Sequence, residues 1–178
     1  MHKKLPLFLT AVLLVVVDQI TKLLTRAFIP LGEKITVIPH LVGLTYIQNT
    51  GAAFSSFSGG TVVLAAISLI LIILIGVAIC KNWLRHPFAQ WSLAVIMAGA
   101  FGNFIDRAFI GYVTDMVDTL FMNFAVYNFA DICVVLGVIA LAIYVIFFYE
   151  KYEGKKLSLI HISEPTRLEN TSRMPSSA

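Results

Sequence analysis

The chain has little charge and little cysteine for its length. Of its 178 residues, 10 are acidic and 2 are cysteines, 13% are charged, and 58% are hydrophobic. A composition this apolar excludes an ordinary soluble domain, and the length suits one compact domain. The cysteines form no CxxC pair and the histidines form no cluster in the sequence. The sequence therefore gives no support for a metal site.

Four long apolar runs predict four transmembrane helices, because about 20 mostly apolar residues are needed to cross the hydrocarbon core of a bilayer. We place them at about Leu5–Leu24, Thr61–Cys80, Phe88–Ile105 and Phe129–Tyr149. The first run has the basic start of a signal peptide. Asp18 and Lys22 follow without a small-residue cleavage site, so we expect a retained helix.

Basic residues are distributed unevenly between the connecting loops. They concentrate before the first run, between the second and third, and after the fourth. By the positive-inside rule both termini are predicted to be cytoplasmic, and nucleic acid is a poor candidate partner. Cys80 and Cys133 then fall near opposite faces of the bilayer, so no disulfide is expected between them.

Two segments connect the helices on the outer side. The first, residues 25–60, contains KITVIPHLVGLTYIQN, whose β-branched and aromatic residues predict a small extracytoplasmic β-sheet. Such a sheet could hold an extended peptide by strand addition, or it could be a compact cap with no ligand role. The second, residues 108–127, mixes apolar and polar residues. We expect it to form a short interfacial helix or a lid, with a plain connector as the alternative.

The composition becomes polar after Lys156. The run LSLIHISEPTR, residues 157–167, can be translated from an end sequence used in transposon-based DNA library preparation. We therefore interpret residues 1–156 as the four-helix membrane domain. Residues 157–178 are interpreted as an artefactual or disordered tail that takes no part in the fold.

Polar residues of the predicted spans fall almost entirely at one level of the membrane. With the N-terminus inside, the first and third helices end outside, and the second and fourth begin there. The residues near this outer interface are Asp18, Lys22, Asn103, Asp106, Arg107, Asp115, Asn128 and Asp131. Randomly placed polar residues would not collect in one leaflet, and intramembrane ionisable residues usually mark a functional site.

Spacing along the predicted helices indicates several neighbours. Asp18 and Lys22 are four residues apart and can form an ion pair that fixes helix packing. Ala98 and Gly102 have the same spacing and would let another helix approach closely. Arg107 could contact a lipid phosphate or bind a carbonyl group of a substrate.

Asp115 and Asp131 are the main functional candidates. Carboxylates at membrane depth are costly, and two that converge can share one proton, which gives an acid and a base at the same pH. Such a pair suits peptide hydrolysis without a metal, a cofactor or a covalent nucleophile. Asp118 is the alternative to Asp115 because it lies in the same loop. We expect Asp106 and Asp118 to be solvated interface residues.

Four blocks of the sequence, in order, resemble lipoprotein signal peptidase, the bacterial signal peptidase II family. They are DQITK at residues 18–22, QNTGAAF at 48–54, AGAFGNFIDR at 98–107, and VTDMVD together with YNFAD ending at Asp131. The resemblance implies a polytopic α-helical membrane protein with four transmembrane helices, a small extracytoplasmic β-sheet and a partial helix over the site. One departure is visible: the family usually has two glycines where this chain has Ala98 and Gly99.

The resemblance also implies an activity. The family's enzymes are aspartic endopeptidases of the bacterial cytoplasmic membrane that remove the signal peptide of prolipoproteins. They cleave before a cysteine that already carries diacylglycerol. The expected partners are therefore such a prolipoprotein and membrane lipid, the expected inhibitor is globomycin, and the expected state is a monomer.

Residue roles carried over from this resemblance follow the matching blocks. Asp115 and Asp131 correspond to the catalytic aspartates, and Asp18 and Lys22 to a pair with a mainly structural role. The positions that would line the substrate and inhibitor pocket are Asn49, Gly51, Asn103, Arg107 and Asn128.

Two other classes of function remain open on the residues alone. A small ion- or proton-coupled transporter would use the same carboxylates as a relay, and it predicts charges spread through the membrane depth. A non-catalytic structural membrane protein predicts that Asp115 and Asp131 do not converge. The second apolar run carries no charge, which disfavours the transporter.

Overall fold

The computed structural model describes residues 4–51 and 60–154. Within these ranges the chain forms helices α1 (Leu5–Phe28), α2 (Gly60–Lys81), α3 (Pro87–Phe109) and α4 (Phe129–Phe147). It also forms strands β1 (Lys34–Ile38), β2 (Val42–Asn49) and β3 (Val113–Thr119). A π-helical turn, Glu150–Gly154, follows α4. The expected tail at residues 157–178 lies outside the described residues.

Each of the four helices is long and apolar enough to span a membrane, which confirms the predicted fold class. Helix α2 has the highest mean hydropathy, 3.3, and little of it is buried inside the protein. Helix α3 has the lowest, 1.4, and is the most buried, because it packs against α1, α2 and α4. α3 is therefore the centre of the bundle, and α2 is mainly a lipid-facing helix.

Small residues allow α3 and α4 to approach closely. A Cβ added to Gly99 would lie 2.4 Å from the carbonyl oxygen of Ala130 in α4. A Cβ added to Gly137 of α4 would lie 2.6 Å from a side-chain carbon of Ile96 in α3. Ala98 instead packs into the apolar core that α3 shares with α1 and α2. Its methyl group is therefore accommodated on a different side of α3 from the close contact.

The three strands form one antiparallel sheet in the order β1-β2-β3. The sheet is attached to the C-terminal ends of α1 and α3. The Arg26 guanidinium of α1 donates to the Thr114 hydroxyl at 2.8 Å, and the Asp106 carboxylate of α3 accepts from the Thr114 backbone N–H at 3.0 Å. We refer to this end of the bundle as the sheet end.

Strand β3 corrects the expectation of an interfacial helix in the second connecting segment. Helix α3 ends at Phe109, and Gly111 then turns the chain with a φ of 80°, a conformation that glycine adopts without strain. Residues Val113–Thr119 pair with β2 along their length. The strand that pairs with them lies far away in the sequence, which local periodicity does not reveal.

Candidate active site

Asp115 lies in the middle of β3, opposite Ile47 of β2. Its side chain is buried, with 2% of the residue exposed. One carboxylate oxygen accepts from the Asn49 amide at 2.9 Å, and the other accepts from the Asn128 amide at 2.6 Å. Asp115 is therefore fixed between the end of β2 and the start of α4.

Asp131 lies in the first turn of α4, where it takes part in a capping box with Asn128. One of its carboxylate oxygens accepts from the Asn128 backbone N–H at 3.2 Å. The other accepts from the Asn103 amide of α3 at 2.7 Å. A capping box satisfies N–H groups that the first turn of a helix leaves unpaired, so the motif that starts α4 also holds Asp131 in place.

Asn128 brings the two aspartates together. It is completely buried, and it contacts the carboxylate of Asp115 through its side chain and that of Asp131 through its backbone. Asp115 and Asp131 were predicted to converge, and both contact this one asparagine. The alternative of a non-catalytic structural protein predicted that the two aspartates would not converge.

The orientation of the amide groups follows from their other partners. An amide oxygen accepts and an amide nitrogen donates. The Asn128 oxygen accepts from the backbone N–H of Asp131 at 3.0 Å, and the Asn49 oxygen accepts from the backbone N–H of Gly51 at 2.9 Å. Both amide nitrogens must then face Asp115, as observed. Gly51 has a φ of 83°, so glycine suits the turn that presents this N–H.

Burial is the main cause of the altered acidity of Asp115. Desolvation raises the pKa of its carboxyl group, the hydrogen bonds from Asn49 and Asn128 oppose this rise, and the nearby charge of Asp131 adds to it. The net effect is a raised pKa for Asp115. A carboxyl group of this kind can keep its proton at a higher pH than an ordinary aspartate and can act as an acid.

A cavity of about 310 Å³ opens beside Asp131. It is lined by Ser68, Leu71, Ile75, Ile96, Ala100, Asn103, Arg107, Asp131, Val134 and Val135. The apolar residues come from α2, α3 and α4, and the polar residue Asn103 contacts Asp131. We call this cavity the groove, and it suits an apolar ligand with a polar group placed near Asp131.

Arg107 lines the groove near the end of α3 and is half-buried. Among the described residues, no hydrogen bond or ion pair to its guanidinium is found within bonding distance. The charges of Asp131 and Asp115 act on it most strongly. The guanidinium carries five N–H donors, and it lies at the groove.

Asp18, Lys22 and Asp106 form a buried ion cluster. The expectation that Asp106 is solvated was therefore wrong. Lys22 lies 2.9 Å from Asp18, as the spacing predicted, and also 3.3 Å from Asp106. Asp106 is 1% exposed. Its second carboxylate oxygen lies 3.9 Å from Arg26. Asp106 thus ties α1, α3 and β3 together instead of facing water.

Asp118 was also expected to be solvated, and it is not. It is 8% exposed and pairs with Lys34 of β1 at 2.7 Å. Asp118 pairs with Gly43 in the sheet register, and it is three residues after Asp115 on a strand, so the two side chains point to opposite faces. The structure therefore separates Asp118 from Asp131.

Other predicted features are located as follows. The described residues contain no group of three or more histidine, cysteine, aspartate or glutamate side chains that could hold a metal ion. Cys80 and Cys133 are both free. Part of the second sequence block, residues 52–54, lies outside the described residues.

The family model for signal peptidase (SPase) II matches residues 10–147 of the chain. The lipoprotein signal peptidase of Enterococcus faecalis is 43% identical over 139 residues, which cover 78% of this chain and 86% of that protein. The lipoprotein signal peptidase of Streptococcus pneumoniae is 39% identical over 149 residues, covering 80% and 94%.

A solved structure of a bacterial membrane enzyme, obtained by the in meso method at 1.9 Å resolution, has the same fold. It superposes with a TM-score of 0.76 at 33% identity and covers 80% of this chain and 94% of that one. A second bacterial membrane enzyme, solved by the same method at 2.3 Å, gives a TM-score of 0.70 at 29% identity.

Proposed function

The chain belongs to the signal peptidase II family, and from this premise we propose that it is an aspartic endopeptidase that removes the signal peptide of prolipoproteins in the membrane. The observation that carries the catalytic assignment is the shared contact of Asp115 and Asp131 with Asn128. Its amide lies 2.6 Å from Asp115, and its backbone N–H lies 3.2 Å from Asp131. The charge of Asp131 also acts to raise the pKa of Asp115, and this coupling supports a pair of carboxylates that shares one proton.

The two carboxylates have different surroundings, which supports different roles. Asp131 is half-exposed and lines the groove, so we assign to it the base that takes a proton from water. The resulting hydroxide oxygen bonds to the scissile carbonyl carbon. Asp115 is buried with a raised pKa, so we assign to it the acid that protonates the carbonyl oxygen. Asp131 then passes the proton it took from water to the leaving nitrogen as the C–N bond breaks, and Asp115 recovers its proton from a hydroxyl group of the intermediate as the new carboxyl group forms.

The groove supports a substrate with an apolar segment in an extended or helical form. Its apolar walls between α2, α3 and α4 suit the hydrophobic part of a signal peptide. We propose that five residues surround the peptide near the scissile bond: Asn49, Gly51, Asn103, Arg107 and Asn128. We propose cleavage just before a cysteine that carries diacylglycerol. Each buried methylene of that lipid contributes about 0.8 kcal/mol, so the membrane concentrates the substrate at the site.

The distribution of basic residues supports an orientation for this site. We propose that the sheet end faces the extracytoplasmic side of the bacterial cytoplasmic membrane and that both termini are cytoplasmic. The carboxylates would then lie at the outer interface, where a lipidated cysteine can stay in the outer leaflet while the signal peptide occupies the groove.

The experiment that tests this function is cleavage of a diacylglyceryl-modified prolipoprotein by the purified full chain in detergent. We expect the wild-type protein to release the signal peptide and globomycin to inhibit it. Asp115→Asn and Asp131→Asn should each abolish cleavage, because each removes one half of the acid–base pair, while leaving membrane insertion intact.

Asp118→Asn is the matched control, since it makes the same chemical change three residues away on the opposite face of β3. It should retain most of the activity. Cleavage by Asp115→Asn together with loss in Asp118→Asn would show that the wrong strand aspartate has been chosen. Equal activity in all variants would rule out aspartic catalysis by this pair.

A further inference from the structure

Lys22 is fully buried and makes three close polar contacts. Its Nζ atom lies 2.9 Å from Asp18 and 3.3 Å from Asp106. The third contact is to the side-chain oxygen of Asn103, at 3.0 Å. An ammonium with three N–H groups can satisfy these three acceptors at once. The contact with Asn103 leads to a proposed catalytic carboxylate through one side chain, because Asn103 itself contacts Asp131.

The contact with Lys22 determines which way the Asn103 amide points. A protonated lysine can only donate hydrogen bonds, so the amide oxygen of Asn103 must face it. The amide nitrogen then faces the other way and donates to Asp131 at 2.7 Å. If the amide were reversed, two donors would meet at Lys22 and two acceptors would meet at Asp131.

Asn103 differs from the other two asparagines in what holds it. The oxygens of Asn49 and Asn128 accept from backbone N–H groups, which belong to the fold itself. In the described part of the chain, the donor found to the Asn103 oxygen is the side chain of Lys22. The orientation of Asn103 therefore depends on one replaceable side chain.

We propose that Lys22 is a positioning residue of the peptidase reaction, acting through Asn103 to hold the Asp131 carboxylate towards Asp115. This inference rests on the proposed aspartic mechanism. It adds a second role to the Asp18–Lys22 ion pair, which the sequence spacing linked only to helix packing. Asp131 is half-exposed at the groove, so a carboxylate without this contact could rotate towards water.

Asp18 and Asp106 also make contacts that do not involve Lys22. A role of Lys22 in positioning Asp131 can therefore be separated from a role in holding the fold. Asp18 also accepts from the Ala130 backbone N–H at 2.9 Å, and Asp106 accepts from the Thr114 backbone N–H at 3.0 Å. These contacts join α1 to α4 and α3 to β3 without Lys22. Removing the charges of Lys22 and Asp18 together leaves both backbone contacts available. Asp106 loses its contact with Lys22 in both double variants alike, and it keeps Arg26 at 3.9 Å.

The test compares the double variants Asp18→Asn/Lys22→Met and Asp18→Asn/Lys22→Gln in the prolipoprotein cleavage assay. The methionine has no donor for Asn103, whereas the glutamine amide restores one. We expect kcat to fall about 10- to 100-fold with methionine, corresponding to roughly 1.4 to 2.7 kcal/mol. KM should change little, and glutamine should recover part of the loss. Equal kcat in the two variants at equal thermal stability would overturn the proposal.

A double-mutant cycle with Asn103→Leu separates action through Asn103 from general damage. If Lys22 acts through Asn103, the losses should not add. The methionine variant that also carries Asn103→Leu should have the same kcat as the protein with Asn103→Leu alone. The proposal would be contradicted if the fold-loss of kcat in the combined variant equalled the product of the two separate fold-losses. Lys34→Met is the control, because it removes an ammonium that pairs with Asp118 and should leave kcat unchanged.

Asn103→Asp provides a second measurement that does not require Lys22 to be changed. The new carboxylate can still accept from Lys22, but it cannot donate to Asp131. We expect the melting temperature to be retained and kcat to fall about tenfold or more. A wild-type kcat in Asn103→Asp would overturn the proposal even if the Lys22 variants did not fold. Inactive wild-type protein, or active Asp131→Asn, would instead contradict the proposed function.

Discussion

The side-chain nitrogen of Asn128 lies 2.6 Å from a carboxylate oxygen of Asp115, and this contact joins β3 to the first turn of α4. The same asparagine is the N-cap of α4, and its oxygen accepts from the backbone N–H of Asp131. Asn128 therefore starts the helix that carries Asp131, and it also holds the carboxylate of Asp115. Its two roles can be separated by substitution.

Asn128→Asp should keep the helix cap and lose the contact with Asp115. Aspartate is as good an N-cap as asparagine, so we expect α4 to keep its capped start, while the buried negative charge lowers the melting temperature. It cannot donate to Asp115, and it adds a negative charge there, so cleavage should be largely lost. Thermal unfolding in detergent and the prolipoprotein assay measure the two effects separately.

Asn128→Ala is the companion variant, since it loses both the cap and the contact. Loss of a capping side chain costs about 1 kcal/mol, so this variant should be less stable than the wild type. If Asn128→Asp cleaves at the wild-type rate, the contact with Asp115 has no part in the reaction.

The pH dependence of cleavage should report the surroundings of Asp115. In the proposed mechanism Asp115 must be protonated, so the fall of kcat/KM at alkaline pH reflects its ionisation. The Asn49 hydrogen bond favours the ionised form and lowers the pKa of Asp115 against the larger effect of burial. Asn49→Leu removes this donor, so the pKa should rise further and the alkaline fall should move to higher pH.

Gln48→Leu is the control for the Asn49 variant. Gln48 is the neighbouring amide, and it donates to the hydroxyl of Tyr46 and not to Asp115. Its pH profile should coincide with that of the wild type. An alkaline limb that stays in place, or moves to lower pH, in Asn49→Leu would contradict the assignment of Asp115 as the acid.

The helices and the level of the polar residues could be predicted from the sequence because both depend on local properties. Hydropathy over about 20 residues identifies a span, and the spans then place residues such as Asp18 and Asp131 at the same end. Strand β3 could not be predicted in this way, because its partner β2 lies more than 60 residues earlier in the chain.

The burial of Asp106 was missed although the sequence contains a signal for it. Gly99, Gly102 and Asp106 follow one another at spacings of three and four residues, so they share one face of α3. Two glycines on a transmembrane helix indicate a face packed against another helix. An acidic residue on that face should be buried and paired, and Asp106 is paired with Lys22.

Arg107→Ala should weaken both cleavage and inhibition by globomycin. The guanidinium lines the groove, and loss of a hydrogen bond from a charged donor costs about 1.5 to 3 kcal/mol. Lysine should recover only part of the activity, because a point charge does not reproduce the guanidinium fork. Wild-type cleavage and inhibition in Arg107→Ala would return this residue to the role of a lipid anchor.

Gly99→Ala should damage both the stability of the bundle and the site. An added Cβ would lie 2.4 Å from the Ala130 carbonyl oxygen and 2.7 Å from a methyl group of Val134. The first neighbour is backbone, so α3 and α4 must separate, and overpacking of this kind costs about 1 to 3 kcal/mol. Ala130 precedes Asp131, so the separation should also displace that carboxylate and lower kcat.

Gly76→Ala makes the same change in α2 at a position where an added Cβ has no atom within 4 Å. It should leave the melting temperature in detergent and the cleavage rate at the wild-type values. Comparing the two variants separates a steric effect between α3 and α4 from a general effect of replacing glycine in a transmembrane helix. A Gly99→Ala protein as stable and active as Gly76→Ala would show that the two helices are free to move apart, and that Asp131 does not depend on their close contact.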